Sequence, residues 1–483
     1  IKSNNMSILF NNSFDKLPDN FYSKIEPEKT KEYKKILINN SLCKDLGLDF
    51  NYLNSEEGLQ ILSGNHTPEN AAPLAMVYAG HQFGNWVPQL GDGRAVLLGE
   101  LLDKKKQRFD FQLKGSGKTP YSRGGDGKAW LGPVIREYIV SEYMNKINIP
   151  TTRSLAAMHT GEDVYREQVY PSAVLCRVAK GHIRVGTFQY FLAKKDFKSL
   201  KILADYFIDR NLAHLKNDND KYHKFFISVV NDQVKLVALW MKVGFIHGVM
   251  NTDNTSISCE TIDYGPCAFM DVYKSDKVYS SIDTMGRYSY KNQPNIIMWN
   301  MACFASTLLP LLGEDIEKNT TILQDEVSKI PEKYKNQWLD EFSTKLGFEK
   351  KLPKDESLIN EFLNILETEE LDFTNSFRSL LIESTNISKT TQFKEWEHKW
   401  KKRLDEEDNR ESIKKKLNFN NPAFIMRNHL VENIIQDLLK DKKDSLKKAL
   451  LCLEKPYEKL DKFNYMYLGP NSEEEVHKTF CGT

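Results

Sequence analysis

His247-Gly248-Val249-Met250-Asn251-Thr252-Asp253-Asn254, with Asp263-Tyr264-Gly265 shortly after it, is the stretch on which the reading of this chain turns. It places two carboxylates and a side-chain amide close together in sequence. Hard oxygen donors of this kind suit a divalent cation held against phosphate oxygens. Asp253 can accept a proton, whereas Val249, nearer the histidine, cannot. The pattern points to nucleotide-phosphate chemistry centred on Asp253, Asn254 and Asp263.

Protein kinases place H-R-D-x-x-x-x-N ahead of D-F-G, so that an Asn and an Asp share the metal while the first Asp takes a proton. Here His247 and Asn254 keep that frame, Val249 stands where the base Asp would be, and Asp253 lies beside the Asn. The loop is rewired, not simply degraded. His247 reads as a residue that orients the loop and not as a base.

Upstream features fit the same order. Lys114 ends the alternating run of residues 108–114 and Glu137 sits in the helix expected next, the strand-Lys and helix-Glu pairing that orients a lysine toward phosphates. Gly91-Asp92-Gly93-Arg94 reads either as a plain β-turn or as a glycine hairpin over a nucleotide, with Arg94 as a phosphate-seeking fork. Gly115-Ser116-Gly117-Lys118-Thr119 is not a Walker loop, because Gln112 stands where its first glycine is required. Residues 115–128 then form either a surface loop or one that offers amides and cations to phosphate. Arg177, inside an apolar run, and Arg184 need partners, either a polyphosphate or structural carboxylates.

The periodicity predicts an α+β chain with a protein-kinase-like bilobal fold. Residues 1–75 form a polar N-terminal wrap, with a helix over residues 31–46. Residues 76–185 form a small β-rich N-lobe, with strands over residues 95–100, 108–114 and 172–179 and a helix opening at Gly132-Pro133. Residues 186–315 form a helical C-lobe carrying the metal loop, with helices over residues 200–215 and 226–243. Residues 316–483 form a charged helical C-terminal extension ending near Cys481.

The 483 residues balance 67 Lys and Arg against 66 Asp and Glu, so overall charge does not call for a nucleic-acid partner. Runs such as residues 440–443 read as solvated helix faces. The seven cysteines lack C-x-x-C pairs, which suits a reducing compartment and argues against structural zinc. No apolar run has the ~20 residues that span a bilayer, and no signal core is seen, so the expected address is cytoplasmic, with no membrane partner. Residues 1–5 precede Met6 and are left out of the fold reading.

Five blocks, Tyr78-Ala-Gly-His-Gln-Phe-Gly84, Gln89-Leu-Gly-Asp-Gly-Arg-Ala95, Gln112-Leu-Lys-Gly-Ser-Gly-Lys-Thr-Pro-Tyr-Ser-Arg123, Gly181-His-Ile-Arg-Val-Gly186 and His247 to Asn254, carry a resemblance to the selenoprotein O family of pseudokinase-fold protein adenylyltransferases. The resemblance covers most of the chain. It implies ATP held in reverse, with the γ-phosphate buried and AMP passed to Ser, Thr or Tyr hydroxyls of protein substrates. It implies Asp253 as proton acceptor and Asn254 and Asp263 as ligands of Mg²⁺, with Mn²⁺ open as an alternative. It also implies nucleotide contacts from Gly91, Gly93, Arg94, Lys114, Asp126, Gly127, Arg177 and Arg184, with Glu137 orienting Lys114. A cysteine near the C-terminus fits the family pattern, and Cys481 is a candidate for a reversible disulfide with Cys267.

Three functions stay open at this point. They are AMP transfer, conventional phosphoryl transfer, which Val249 disfavours, and a non-catalytic ATP-binding scaffold. UTP is open as an alternative donor.

Overall fold

The computed structural model describes residues 7–382 and 387–481. Among the described residues ten strands precede the helix Val185–Ala193, with the helix Leu131–Lys146 set between the eighth and ninth: β1 Tyr22–Lys24, β2 Lys34–Ile38, β3 Leu74–Met76, β4 Gly80–Gln82, β5 Asn85–Val87, β6 Ala95–Leu102, β7 Arg108–Lys114, β8 Ala129–Trp130, β9 Arg153–Tyr165 and β10 Val169–Ala179. Eight of them make one antiparallel sheet in the order β1-β3-β6-β7-β10-β9-β2, with β8 paired to β10, while β4 and β5 form a separate ladder.

The expected helix over residues 31–46 is corrected. Its first half is the strand β2, and only Asn40–Leu46 is helical, opened by the Asn39 side chain accepting from the amide of Leu42. Residues on both sides of a bulge at Ile36, Lys34-Lys35 and Leu37-Ile38, find ladder partners in β9, and that pairing overrides local helical periodicity. The N-terminal segment thus supplies both edge strands of the sheet. Its short helices cover one face, where Leu42, Leu53 and Ile61 pack with Phe111 and Leu113 of β7.

Alternation along β7 explains what the other face does. Phe111 and Leu113 point into that core, so Asp110, Gln112 and Lys114 point the opposite way. The register pairs Gln112 with Arg177 and Lys114 with Leu175 on β10, and residues opposite one another share a face. A row of polar side chains is thereby set against the helix Leu131–Lys146, which carries Pro133 in its first turn and packs on β9 and β10.

The helix Lys221–Val243 ends at Gly244, whose φ of +72° provides a left-handed cap. The chain then enters β11 Phe245–Ile246, which pairs antiparallel with β12 Ala268–Phe269. These two short strands clamp the ends of the loop containing Asp253 and Asp263. Helices from Gln293–Leu308 to Asp444–Glu454 make up most of the rest, with Phe362, Phe377, Trp396 and Trp400 in their core. Among the described residues no helix is long and apolar enough to cross a membrane.

Candidate active site

A cleft of about 890 Å³ opens between the polar face of the sheet and the loop after β11. The expected site residues Gly91, Gly93, Arg94, Lys114, Asp126, Gly127, Glu137, Arg177, Arg184, Asp253, Asn254, Asp263 and Cys481 all line it, although they come from widely separated parts of the chain. Cys267 is buried and is not among the lining residues.

Asp263 is the electrostatic hub. Its Oδ1 accepts from Lys114 Nζ at 3.1 Å and Arg177 Nη1 at 2.8 Å, and its Oδ2 accepts from Arg184 Nη1 at 2.5 Å. Burial alone would raise its pKa, but Arg184, Lys114 and Arg177 hold it well below the usual carboxylate range. Its backbone takes the left-handed φ of +62°, uncommon for a residue other than glycine. Glu137 is fully enclosed, accepting from Lys114 Nζ at 2.6 Å and Arg177 Nη1 at 2.8 Å. Burial again opposes ionisation, and Lys114 with Arg177 outweighs it, keeping Glu137 below its ordinary value. The strand-Lys and helix-Glu pair expected from sequence is therefore formed, and it extends to both arginines.

Asp253 is different. Its Oδ2 accepts from Gln82 Nε2 at 3.2 Å, while its buried Oδ1 has no hydrogen-bond partner among the described residues. Burial raises its pKa to about 6, against the opposing effects of Gln82 and Arg184. A buried carboxylate with an unfilled lone pair in a cleft is suited to accept a proton near neutral pH. Asn254 donates its Nδ2–H to Val249 O at 2.9 Å. His247 orients the loop as expected. Its Nε2 lies 2.7 Å from Ile262 O, and its Nδ1 accepts the Val249 amide at 3.3 Å.

Arg94 lines the cleft without an ion-pair partner among the described residues. Gly91, at φ +122°, would set a Cβ 2.6 Å from the Tyr121 ring. Asp126 pairs with Arg166 at 2.8 Å, and that hydrogen bond lowers its pKa. A Cβ on Gly127 would stand 2.0 Å from Gly117 O, so the ends of the glycine-rich loop close on each other, joined by the Ser116–Lys128 bridge.

Several cleft residues were not assigned roles from sequence. Gln82 and Tyr78 sit in a motif block but have no local pattern that names a task; Arg184 lies over the Tyr78 ring at 4.8 Å. Arg166 of the cleft meets Asp126, and Gln112 behind it meets Arg177, only through strand pairing, which leaves no local signal.

The C-terminal tail reaches the same cleft. Thr479 bridges to Ser280 and donates its hydroxyl to Pro266 O at 2.5 Å, placing Cys481 beside Gly265, where a Cβ would meet Sγ at 3.3 Å. Burial raises the Cys481 thiol, against Arg94 and Lys114, and raises Cys267 to about 12.

A mixed α+β chain with an acid-bearing cleft lined by fixed cations has the build of an enzyme that handles nucleotide phosphates. The family model described as "Protein adenylyltransferase SelO" matches residues 4–454, and the chain belongs to that family. Among its relatives, proteins named "Protein nucleotidyltransferase YdiU" from Bacillus cytotoxicus and Anoxybacillus flavithermus are each 47% identical, over 98% of this chain and 97% and 99% of theirs. The protein of the same name from Nitrobacter hamburgensis is 45% identical over 99% of this chain and 96% of its own.

Proposed function

We propose that this protein nucleotidyltransferase moves AMP from ATP to Ser, Thr or Tyr hydroxyls of proteins, releasing pyrophosphate. The observation that carries the mechanism is Asp253 Oδ1, buried in the cleft and without a partner among the described residues. Asp253 takes the proton of the attacking hydroxyl. That hydroxyl oxygen bonds to the α-phosphorus as the bond to the bridging oxygen of pyrophosphate breaks. Lys114, Arg177 and Arg184, fixed by Glu137 and Asp263, hold the terminal phosphates, and Arg94 supplies a further cation at the mouth. The glycines at 91, 93 and 127 allow backbone to approach the nucleotide, and Asp126 lies beside it, held by Arg166.

The carboxylate of Asp263 and the amide oxygen of Asn254 are hard donors that fit Mg²⁺ or Mn²⁺. When bound, the ion neutralises triphosphate charge and polarises the phosphorus under attack. In this reading the fold is kinase-like and bilobal: residues 76–185 make the β-rich lobe, 186–315 the helical lobe, and 1–75 and 316–483 its extensions.

Cys481 at the cleft also supports redox control through a Cys267–Cys481 disulfide, in which a peroxide oxidant takes two electrons from the thiols and is reduced to water. Intact-mass analysis of a co-incubated acceptor protein tests the main reading. A gain of one AMP residue, lost in Asp253→Ala, is expected, whereas a gain of one phosphoryl group overturns it.

A further inference from the structure

We propose that His182, held by Asp110, is a positioning residue that sets the guanidinium of Arg177 in the cleft by acting as a neutral acceptor for its Nε–H. The proposal rests on the reading of Arg177 as a phosphate-binding cation and adds to it what fixes that cation.

Arg177 sits on β10 with 1% exposure. Four of the five N–H groups of a guanidinium are committed here: two to Glu137 and Asp263, one to Gln112 Oε1 at 2.8 Å, and Nε–H to His182 Nε2 at 3.2 Å. Arginine has no acceptor, so this contact is a hydrogen bond only if His182 Nε2 carries a lone pair. The ring proton is then on Nδ1, where it is donated to Asp110 Oδ2 at 2.8 Å. The other oxygen of Asp110 takes Arg210 Nη2 at 2.8 Å. Burial would raise the Asp110 pKa, but Arg210 and His182 bring it to about 2, so the carboxylate stays ionised and holds the tautomer. The side chains of His182 and Asp110 are both 0% exposed.

The arrangement decides direction as well as contact. Glu137 and Asp263 attract the positive charge but fix only one end of the guanidinium. His182 and Gln112 take the Nε and Nη2 edges, so the plane of the fork is set. His182 also stands two residues before Arg184, so one short segment of chain serves both cations.

Two substitutions separate positioning from packing. Gln at 182 places an amide near the Nε2 position and keeps an acceptor for Arg177. Asn at 182 places its amide near Nδ1, keeping a partner for Asp110 while leaving Arg177 Nε–H unmet. ATP and AMP binding are measured by titration calorimetry with Mg²⁺, beside thermal midpoints and AMP transfer. His182→Asn is expected to weaken ATP binding about tenfold or more with AMP binding little changed, because AMP lacks the terminal phosphates. His182→Gln restores most of the ATP affinity at a similar thermal midpoint.

Equal losses in both variants, or losses shared by ATP and AMP, overturn the proposal and leave His182 a packing residue. Since binding is read apart from transfer, absence of AMP transfer by the wild type would count against the proposed function and not against this one. Should His182→Asn fail to fold, ¹⁵N-histidine NMR of the wild type decides. A ring protonated on Nδ1 with Nε2 bare is expected, and an Nε2–H or cationic ring overturns the assignment.

Discussion

Gly80 abuts the carboxylate of Asp253 so closely that a Cβ on residue 80 would stand 2.6 Å from Oδ1 and 2.8 Å from Cβ of the aspartate. The backbone of β4 is thus one wall of the pocket around the proposed base, and Gln82 on the same strand holds its other oxygen. Gly80→Ala is expected to displace Asp253 while leaving the sheet intact. A misplaced catalytic group costs on the order of 10²-fold in rate, so kcat falls by about that factor with the thermal midpoint little changed. An unchanged kcat would show that the contact does not set the base.

The pKa of Asp253, raised by burial to about 6, has consequences for both rate and stability. Transfer requires the ionised form, so kcat/KM is expected to fall as pH drops below about 6. Stability runs the other way. Below the unfolded value of about 3.9 both states are protonated; from there up to about 6 the unfolded chain ionises while the buried group stays protonated, so stability falls across that window and stays lowered above it. Asp253→Asn should therefore raise stability above pH 6 by up to about 3 kcal/mol, the equivalent of the shift, while abolishing transfer. Denaturant titrations at pH 5 and pH 8 check the sign; a variant less stable at pH 8 contradicts it.

Asp263 neutralises Lys114, Arg177 and Arg184. Asp263→Asn leaves Arg184 without its carboxylate and Lys114 and Arg177 sharing Glu137 alone, and is expected to cost about 3–5 kcal/mol of stability. The same cations are freed for phosphate, so pyrophosphate without added metal should raise the thermal midpoint of the variant more than that of the wild type. Equal shifts would mean that these cations do not meet the polyphosphate.

The pattern of the polar strand was legible because period-2 alternation needs only local sequence: β7 runs over the residues expected, and the helix bearing Glu137 begins near Gly132-Pro133. That Asp253, Asn254 and Asp263 meet in one cleft was legible through residue order alone. What was not legible depends on long-range pairing. β2 is a strand because β9 lies beside it, and β9 itself mixes small apolar residues with a polar half that alternates poorly. Asp110 and His182 lie 72 residues apart and read as unrelated until β7 and β10 align. Arg166 and Asp126, from two loops, meet for the same reason.

Cys481 sits half-buried at the cleft with its thiol raised by burial, so at a fixed pH it should alkylate more slowly than a free cysteine. Under mild peroxide, non-reduced peptide mapping is expected to recover a Cys267–Cys481 link, reversed by thiol reductant together with any loss of transfer. Maps that contain only free or singly oxidised cysteines would remove redox control from the account.

The α-phosphate, not the γ-phosphate, is expected to reach the acceptor beside Asp253. Paired incubations of protein and cell extract with α-labelled or γ-labelled ATP and Mg²⁺, with Asp253→Ala as control, test it most directly. Protein-bound label from the α-position only, lost in the variant, is the predicted result. Label from the γ-position only would contradict the account and make the enzyme a phosphotransferase, and ATP binding without label from either would make it a scaffold.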